Sequence, residues 1–238
     1  MIRQHRWLLK RVRQAAALHC ETRLYSTARS CPASPTHTSL QTFLTHAQST
    51  NLAPTSTVYI GTYYEYLCLS TLRRLSFTLI RTGGRADHGI DLLGHWTVPS
   101  LPFPLRVLVQ CKALKAKTSP KTVRELEGIF AGAPVGWRGE NVIGVLCAKR
   151  EATKGVREAV RRSAAPVIWI MVEDLGHGSG KVRQILWNQR VSQLGAEGVG
   201  IGVKYLPGAE GKEVETEVGL TWKGKAWGPH GDMLWDAG

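Results

Sequence analysis

The sequence lacks long apolar segments and closely spaced cysteines. No uninterrupted apolar run in the chain reaches the about 18 residues that a membrane-spanning helix requires, so we expect no membrane span. The five cysteines form neither a Cys-x-x-Cys motif nor a Cys/His pair of zinc spacing. Two of them, Cys111 and Cys147, lie in apolar runs, where a free cysteine behaves as a small hydrophobe. The cysteine pattern therefore predicts no disulfides and a reducing compartment.

Acidic residues are also scarce. The 238 residues include 18 Asp and Glu against 31 Lys and Arg, which gives a net charge of +13. Residues 1–60 carry +6 and residues 61–238 carry +7, so the body of the chain is basic in its own right. This balance is typical of proteins that bind polyanions such as nucleic acids, although a merely soluble basic protein remains an alternative. The length predicts one domain with extensions and a substantial core.

The N-terminal segment, residues 1–25, has Glu21 as its only acid. On a helix, its apolar residues would gather opposite a basic face, and an amphipathic, arginine-rich, acid-poor segment is typical of a mitochondrial presequence. The run Arg23-Leu24-Tyr25-Ser26 resembles the cleavage site of a matrix protease. We therefore expect import into the mitochondrial matrix with removal of this segment. A basic arm that binds nucleic acid is the alternative.

Between this segment and the first predicted core helix, residues 26–57 are rich in Ser, Thr, Pro, His and Gln and contain one charged residue, Arg29. Few of these side chains could build a core. This composition predicts a flexible linker.

Two apolar runs of strand length, residues 89–96 and 107–112, are separated by a proline-rich turn. The first run contains Asp91, and a carboxylate within an apolar strand is costly unless a partner compensates its charge. In the second run, alternation places Gln110 and Lys112 on one face and the intervening cysteine on the other. If the runs pair as a hairpin, these three polar side chains converge.

Residues 58–75 are predicted to form a helix that Ser56 and Thr57 can cap. Glu65 falls within the apolar stripe of this helix. Two interpretations stay open for it: a side chain at the edge of the stripe that reaches water, or a carboxylate directed at a metal ion.

The remaining elements alternate between apolar strands and amphipathic helices, which predicts an α/β sandwich in the order αβββαβαβ. Beyond it we expect a helix and then a β-hairpin, whereas the glycine-rich run 176–181 lacks the spacing of a phosphate-binding loop and is predicted to be a flexible turn. The predicted elements are strand 77–82, a helix from Ser119-Pro120, strand 141–148, helix 153–163, strand 167–172, helix 182–194, and hairpin strands 199–205 and 214–222.

Four stretches together resemble the Mrr-like branch of the PD-(D/E)XK nuclease superfamily, which has Gln in place of the usual second acid. They are Gly61 to Tyr66, Gly83-Gly84, Asp87 to Leu92, and Val109 to Lys112. With its N-terminus, the chain is similar to a fungal mitochondrial family named for being required for respiratory growth. The resemblance covers roughly residues 58–175.

The resemblance implies a restriction-endonuclease-like fold: a mixed β-sheet flanked by helices, with an αβββαβ core and residues 176–238 as an extension. It implies metal-dependent hydrolysis of phosphodiester bonds, with DNA as the expected substrate and Mg²⁺ or Mn²⁺ as the cofactor. The implied site comprises catalytic Asp91, Gln110, Lys112 and Glu65; metal ligands Asp91, Gln110, Glu65 and the Cys111 carbonyl; and nucleic-acid contacts Arg85, Lys115 and Lys117.

Two alternatives to a nuclease stay open. One is a catalytically silent nucleic-acid-binding factor on the same fold. The other is a structural interaction protein that uses the C-terminal hairpin. A second copy of the chain, in a homodimer, is a further candidate partner.

Overall fold

The computed structural model of the chain describes residues 37–82, 89–206 and 215–228. The predicted presequence, residues 1–25, and the predicted contact Arg85 lie outside the described residues. The helices are α1 (Leu40–Ser49), α2 (Thr57–Arg73), α3 (Pro120–Gly132) and α4 (Lys154–Arg162), and the strands are β1 (Phe77–Arg81), β2 (Leu92–Trp96), β3 (Leu105–Lys112), β4 (Val142–Ala148), β5 (Val167–Asp174), β6 (Gly180–Trp187), β7 (Val199–Leu206), β8 (Glu215–Trp222) and β9 (Lys225–Trp227).

Strands β1 to β6 form one mixed sheet in sequence order. The pairs β3–β4 and β4–β5 are parallel, and the other three pairs are antiparallel. Helix α2 packs on one face through residues such as Leu67 and Leu72, while α3 and α4 cover the other face through Leu126 and Val156. The central strand β4 is buried at every position, as its continuous apolar sequence predicts.

Three helix starts follow signals visible in the sequence. Helix α2 begins after Ser56, whose side chain accepts a hydrogen bond from the backbone N–H of Tyr59. Pro120 opens α3 at the first helical position, where its missing N–H costs nothing. The Thr153 hydroxyl caps α4 in the same way as Ser56 caps α2. The α/β class and the predicted element order αβββαβαβ, from α2 to β5, are confirmed by the elements of the structure.

The prediction of a helix over residues 182–194 is wrong for residues 182–187, whereas the chain after them is helical, with a short α-helix at Gln189–Val191 and a π-helical turn at Ser192–Ala196. Residues 180–187 form strand β6, which pairs antiparallel with β5 and buries Val182 and Ile185. These two apolar residues are three positions apart, which is the spacing of a helix; a register shift in the β5–β6 pair between Met171 and Val172 lets both face the same core in a strand. The turn predicted at residues 176–181 joins β5 to β6 through residues 176–179, with φ of 86°, 52° and 75° at the first three, whereas residues 180 and 181 already belong to β6.

The prediction of a linker over residues 26–57 is wrong for the part that forms α1. Ser39 and Thr42 make a reciprocal capping box at the start of this helix. Phe43 and Ala47, four residues apart, are buried beside Tyr66 of α2. A few apolar side chains at helical spacing are enough to dock a short helix on a neighbouring one, even though the surrounding composition is polar.

The C-terminal strands β7, β8 and β9 form a second, antiparallel sheet, so the predicted hairpin is confirmed. Trp227 is buried and lies 6.1 Å from Trp96 between ring centroids. An ion pair of 3.0 Å joins Arg74, just after α2, to Glu217 of β8. The second sheet thus packs on the apolar core next to α2. None of the helices in the described ranges has the length and apolar composition needed to cross a membrane.

Candidate active site

The topology brings the ends of β1, β3 and β4 and the start of β2 to the same end of the six-stranded sheet, which is called the edge below. Arg81 at the end of β1 pairs with Leu92 at the start of β2, and Leu92 in turn pairs with Val109 near the end of β3. At the parallel β3–β4 pair, Lys112 lies beside Ala148, the last residue of β4. Residues that precede β2 or end β1, β3 and β4 therefore share this edge.

Asp91 is anchored to this edge by its backbone and its side chain. Its N–H donates to the Val109 carbonyl (2.9 Å), and its carbonyl accepts from the Thr82 N–H (3.0 Å). Its carboxylate Oδ2 accepts a 2.6 Å hydrogen bond from the Cys111 N–H. Extending the β2–β3 register by one position places Asp91 opposite Gln110. Two of the predicted site residues, Asp91 and Gln110, therefore meet as expected from the hairpin.

Gln110 projects toward α3 and is buried, with 7% of its surface exposed. A Cβ atom added to Gly89 would lie 3.0 Å from Gln110 Nε2 and 3.6 Å from Ile129 of α3. The side-chain oxygen Oε1 of Gln110 has no hydrogen-bond partner among the described residues. Leaving a buried acceptor unsatisfied costs free energy, and Mg²⁺ prefers oxygen ligands. This orphaned oxygen, on the residue opposite Asp91 in the strand register, fits a metal ligand.

We predict that Gln110→Met stabilises the metal-free protein. Met has a similar length and removes the unsatisfied acceptor, so the free energy of unfolding should rise by about 1–3 kcal/mol. Thermal melting in a chelating buffer measures this. Gln184→Met is the matched control, because Gln184 Oε1 accepts from the Ala152 N–H (3.0 Å) and its loss should lower stability. Equal destabilisation of both variants would contradict the assignment of Gln110 Oε1 as an orphan.

Lys112 lies on the same side of β3 as Gln110 and reaches Glu125 of α3, with 3.5 Å between Nζ and Oε2. Glu125 also pairs with Lys121, one turn earlier on the helix (3.7 Å). Within the described residues, Lys112 therefore pairs with Glu125 and not with Asp91, so a structural ion pair between Asp91 and Lys112 is not formed. Glu125 could not be recognised as a partner of Lys112 from the sequence, because only the packing of α3 on the sheet brings it there.

Glu65 lies on the opposite side of the sheet, on α2, where its carboxylate pairs with Arg81 Nε at 2.5 Å. Both side chains are largely buried, with 15% of Glu65 and 19% of Arg81 exposed. The Arg81 guanidinium also lies over the Tyr66 ring, 5.6 Å from its centroid. Glu65 thus has a cationic partner that neither sequence interpretation included. Asp91 is thus hydrogen-bonded to β3, and Lys112 forms an ion pair with α3. Glu65 lies on the α2 side of the sheet, paired with Arg81 at the end of β1.

Cations surround the site along the same edge. The loop after β3 exposes Lys115 and Lys117, and Lys149 and Arg150 follow β4 directly. Arg150 Nε donates to the Lys115 carbonyl (3.0 Å), which ties the two loops together. A surface cleft beside them is lined by Lys117, Arg150, Glu151, Met171, Glu173, Arg183 and Gln184. This edge offers several positive charges within reach of a nucleic-acid backbone.

Sequence reasoning missed a cluster of three cysteines beneath α2. The Sγ atoms of Cys68 on α2, Cys111 on β3 and Cys147 on β4 all lie within 4.8 Å of one another. All three are free thiols, as expected from the absence of a disulfide pattern. Hydrogen bonds from Cys111 and Cys68 lower the pKa of Cys147 to about 5, and burial raises the pKa of Cys68. Strand register pairs Cys111 with Cys147, but only tertiary packing adds Cys68.

Comparison with known proteins identifies the family. The family described as required for respiratory growth protein 7 matches residues 56–103 and 98–198, which include Asp91, Gln110 and Lys112. The chain belongs to this family. The similarity to a respiratory-growth family predicted from the sequence is thus confirmed.

Curated relatives of this respiratory-growth family come from several yeasts. The chain is 32% identical over 158 residues to a mitochondrial protein of Schizosaccharomyces pombe, covering 66% of this chain and 62% of that protein. It is 30% identical over 190 residues to the mitochondrial required for respiratory growth protein 7 of Saccharomyces cerevisiae, covering 58% of this chain and 78% of that protein. No solved structure is significantly similar to the chain.

Proposed function

We propose that this chain is a mitochondrial, metal-dependent nuclease with a restriction-endonuclease-like fold that hydrolyses phosphodiester bonds of DNA. The observation that supports this most is the meeting of Asp91 and Gln110 at the edge where Lys112 ends β3, with a buried Gln110 oxygen that has no hydrogen-bond partner among the described residues. The αβββαβ order of α2 to β4 agrees with that fold. Location in the matrix is proposed from the predicted presequence and from the mitochondrial names of the relatives.

A magnesium or manganese ion would be held by the Asp91 carboxylate, the Gln110 side-chain oxygen and the Cys111 carbonyl, with Glu65 directly or through water. When bound, such an ion stabilises charge at a phosphoryl oxygen and activates a water molecule. To bind the ion, the Glu65 carboxylate would have to contact the ion and Arg81 at the same time. The hydrogen bond from the Cys111 N–H to Oδ2 orients the Asp91 carboxylate that would hold the ion.

Lys112 would act on the attacking water and on the charge that develops at phosphorus. Its ammonium group is held beside the site by Glu125, at the outer edge of α3, and its side chain is 28% exposed. A partly exposed amine at this place can hold a water molecule or a phosphoryl oxygen by hydrogen bonding, which is the role that general acid–base and electrostatic catalysis require. Because the Lys112–Glu125 pair is solvent-accessible, substrate can displace it at little cost.

The exposed Lys115 and Lys117 would position the substrate backbone as phosphate contacts, which fix orientation without reading sequence. Arg85, outside the described residues, is proposed as a third contact. Lys117 also pairs with Glu151 (2.5 Å), a surface ion pair that salt screens and that a phosphate can replace.

We predict that DNA affinity falls steeply with salt. Each phosphate contact should contribute about 0.9 to the slope of log affinity against log salt concentration on duplex DNA. Lys115→Ala and Lys117→Ala should each reduce this slope by about 1. Binding titrations at several salt concentrations measure it. Lys225→Ala, which removes the same charge from the second sheet, is the control and should leave the slope unchanged. A flat salt response in the wild type would refute the nucleic-acid interface.

The experiment that tests the proposed activity compares substrates. The purified full chain is incubated with supercoiled plasmid, single-stranded DNA or RNA, in magnesium or manganese. We expect cleavage of duplex DNA in the presence of either metal. Cleavage of RNA alone would support phosphodiester hydrolysis but with RNA in place of DNA as the substrate. Absence of cleavage of all three substrates would refute the proposed activity.

A catalytically silent nucleic-acid-binding factor is the second candidate. Gln110 favours it, because an amide in place of a carboxylate removes one negative charge from the site and weakens cation binding. Such a factor would shift DNA on a gel without added metal and would leave the DNA intact.

A further inference from the structure

The cluster of Cys68, Cys111 and Cys147 has the geometry of a ligand set. Three sulfur atoms from three separate elements converge within 4.8 Å of one another, beneath the point where α2 crosses β3 and β4. Cys68 and Cys147 are fully buried, and Cys111 is partly exposed. We propose that these three cysteines bind one copper(I) ion. The proposed nuclease site uses the backbone of Cys111 but none of the three thiols.

The cluster differs from ordinary buried cysteines. A single free cysteine in a core packs as a small hydrophobe, and its sulfur needs no particular neighbour. Here each sulfur lies within 4.8 Å of both others, so a single ion placed between them can contact all three.

The number and type of ligands select copper(I). Within the described residues, the group contains three cysteines and no His, Asp or Glu. Structural zinc sites are almost always four-coordinate, and iron–sulfur clusters are held by four protein ligands. Soft thiolate ligands select copper(I), for which three sulfurs are a sufficient set.

Loading the site releases protons. Cysteine binds metal ions as the thiolate, so copper(I) displaces thiol protons, and no electron is transferred because the copper is supplied as copper(I). The partly exposed Cys111, near the end of β3, gives the ion a route to the other two sulfurs.

The test uses the full chain with Cys20→Ser and Cys31→Ser, so that only the three clustered thiols remain. Copper(I), supplied as its acetonitrile complex without oxygen, is titrated in competition with a chromogenic copper(I) chelator. We expect one copper per chain, an ultraviolet sulfur-to-copper charge-transfer band, and three sulfur neighbours by X-ray absorption at the copper edge. Adding Cys147→Ser to the same background should abolish competitive binding, with circular dichroism as the check on folding.

Several results would overturn the proposal. These are equal copper binding in the folded Cys147→Ser variant, a copper site with nitrogen or oxygen neighbours, no binding in competition with the chelator, and zinc retained at one per chain in preference to copper. If Cys147→Ser does not fold, the X-ray absorption of the three-thiol protein still decides, because it counts the sulfur neighbours directly. DNA cleavage is measured separately, so failure of the copper site and failure of the nuclease activity are distinguishable.

Discussion

Replacing Asp91 with Asn is expected to abolish magnesium-dependent cleavage while the protein stays folded. Asn keeps the shape of the side chain, and its oxygen can still accept the hydrogen bond from the Cys111 N–H. What it loses is the negative charge that attracts a divalent cation. Removing a residue that only hydrogen-bonds to a metal ligand lowers metal affinity or activity by about 10–100-fold. Removing the charge of the ligand itself should therefore lower the cleavage rate by more than about 100-fold.

The measurements are magnesium titration by calorimetry, plasmid nicking, and thermal melting without metal, all on the same preparations. Glu65→Gln should weaken metal affinity less than Asp91→Asn does, because Glu65 is already shared with Arg81. Wild-type nicking per folded molecule in Asp91→Asn would remove Asp91 from the chemistry.

Lys112→Met separates binding from turnover at the same site. Metal binding should persist while nicking stops, because the Lys112 side chain acts on water and substrate and not on the ion. Its ion pair with Glu125 is partly exposed, so its loss should cost at most about 1 kcal/mol of stability. Lys117→Met, which also breaks a lysine–glutamate pair, is the matched control and should retain nicking at low salt.

A substitution of Gly94 is expected to have the largest effect on stability. A Cβ atom at this position would lie 2.0 Å from the Thr78 carbonyl oxygen and 2.8 Å from the Leu79 Cα. Both atoms belong to the backbone of β1, so they cannot move aside as a flexible side chain would. Gly94→Ala must therefore push β1 away from β2, at a cost of about 3 kcal/mol or more, the upper end for overpacking.

Urea denaturation of Gly94→Ala beside Gly128→Ala tests this prediction. A Cβ added to Gly128, on α3, meets no atom within 4 Å, and alanine favours the helix, so this control should gain up to about 1 kcal/mol. If Gly94→Ala and the wild type have the same urea midpoint of unfolding, the close approach of β1 and β2 is refuted. Since Thr82 after β1 bonds to the Asp91 carbonyl, the variant should also lose cleavage.

The local parts of the site were accessible from the sequence. Alternation along residues 107–112 placed Gln110 and Lys112 on one face, and the proline-rich turn predicted the hairpin that positions Asp91. These inferences need only the period of a strand and a short connection, both of which are properties of neighbouring residues.

The parts that the sequence did not reveal depend on contacts between distant residues. Glu125 reaches Lys112 only because α3 packs across the sheet, and Arg81 reaches Glu65 only because β1 runs beside α2. The cysteine cluster joins residues from α2, β3 and β4. The same limit explains β6, whose apolar residues have helical spacing and face one core only because of a register shift in the pairing with β5.

Nicking of supercoiled plasmid by the wild-type full chain, with magnesium and with a chelator in its place, decides whether the protein is a nuclease. We expect conversion to the open-circular form with magnesium and none with the chelator, and no conversion by Asp91→Asn under either condition. Intact plasmid under both conditions, with salt-sensitive binding of the same DNA, would contradict the nuclease and leave a silent nucleic-acid-binding factor.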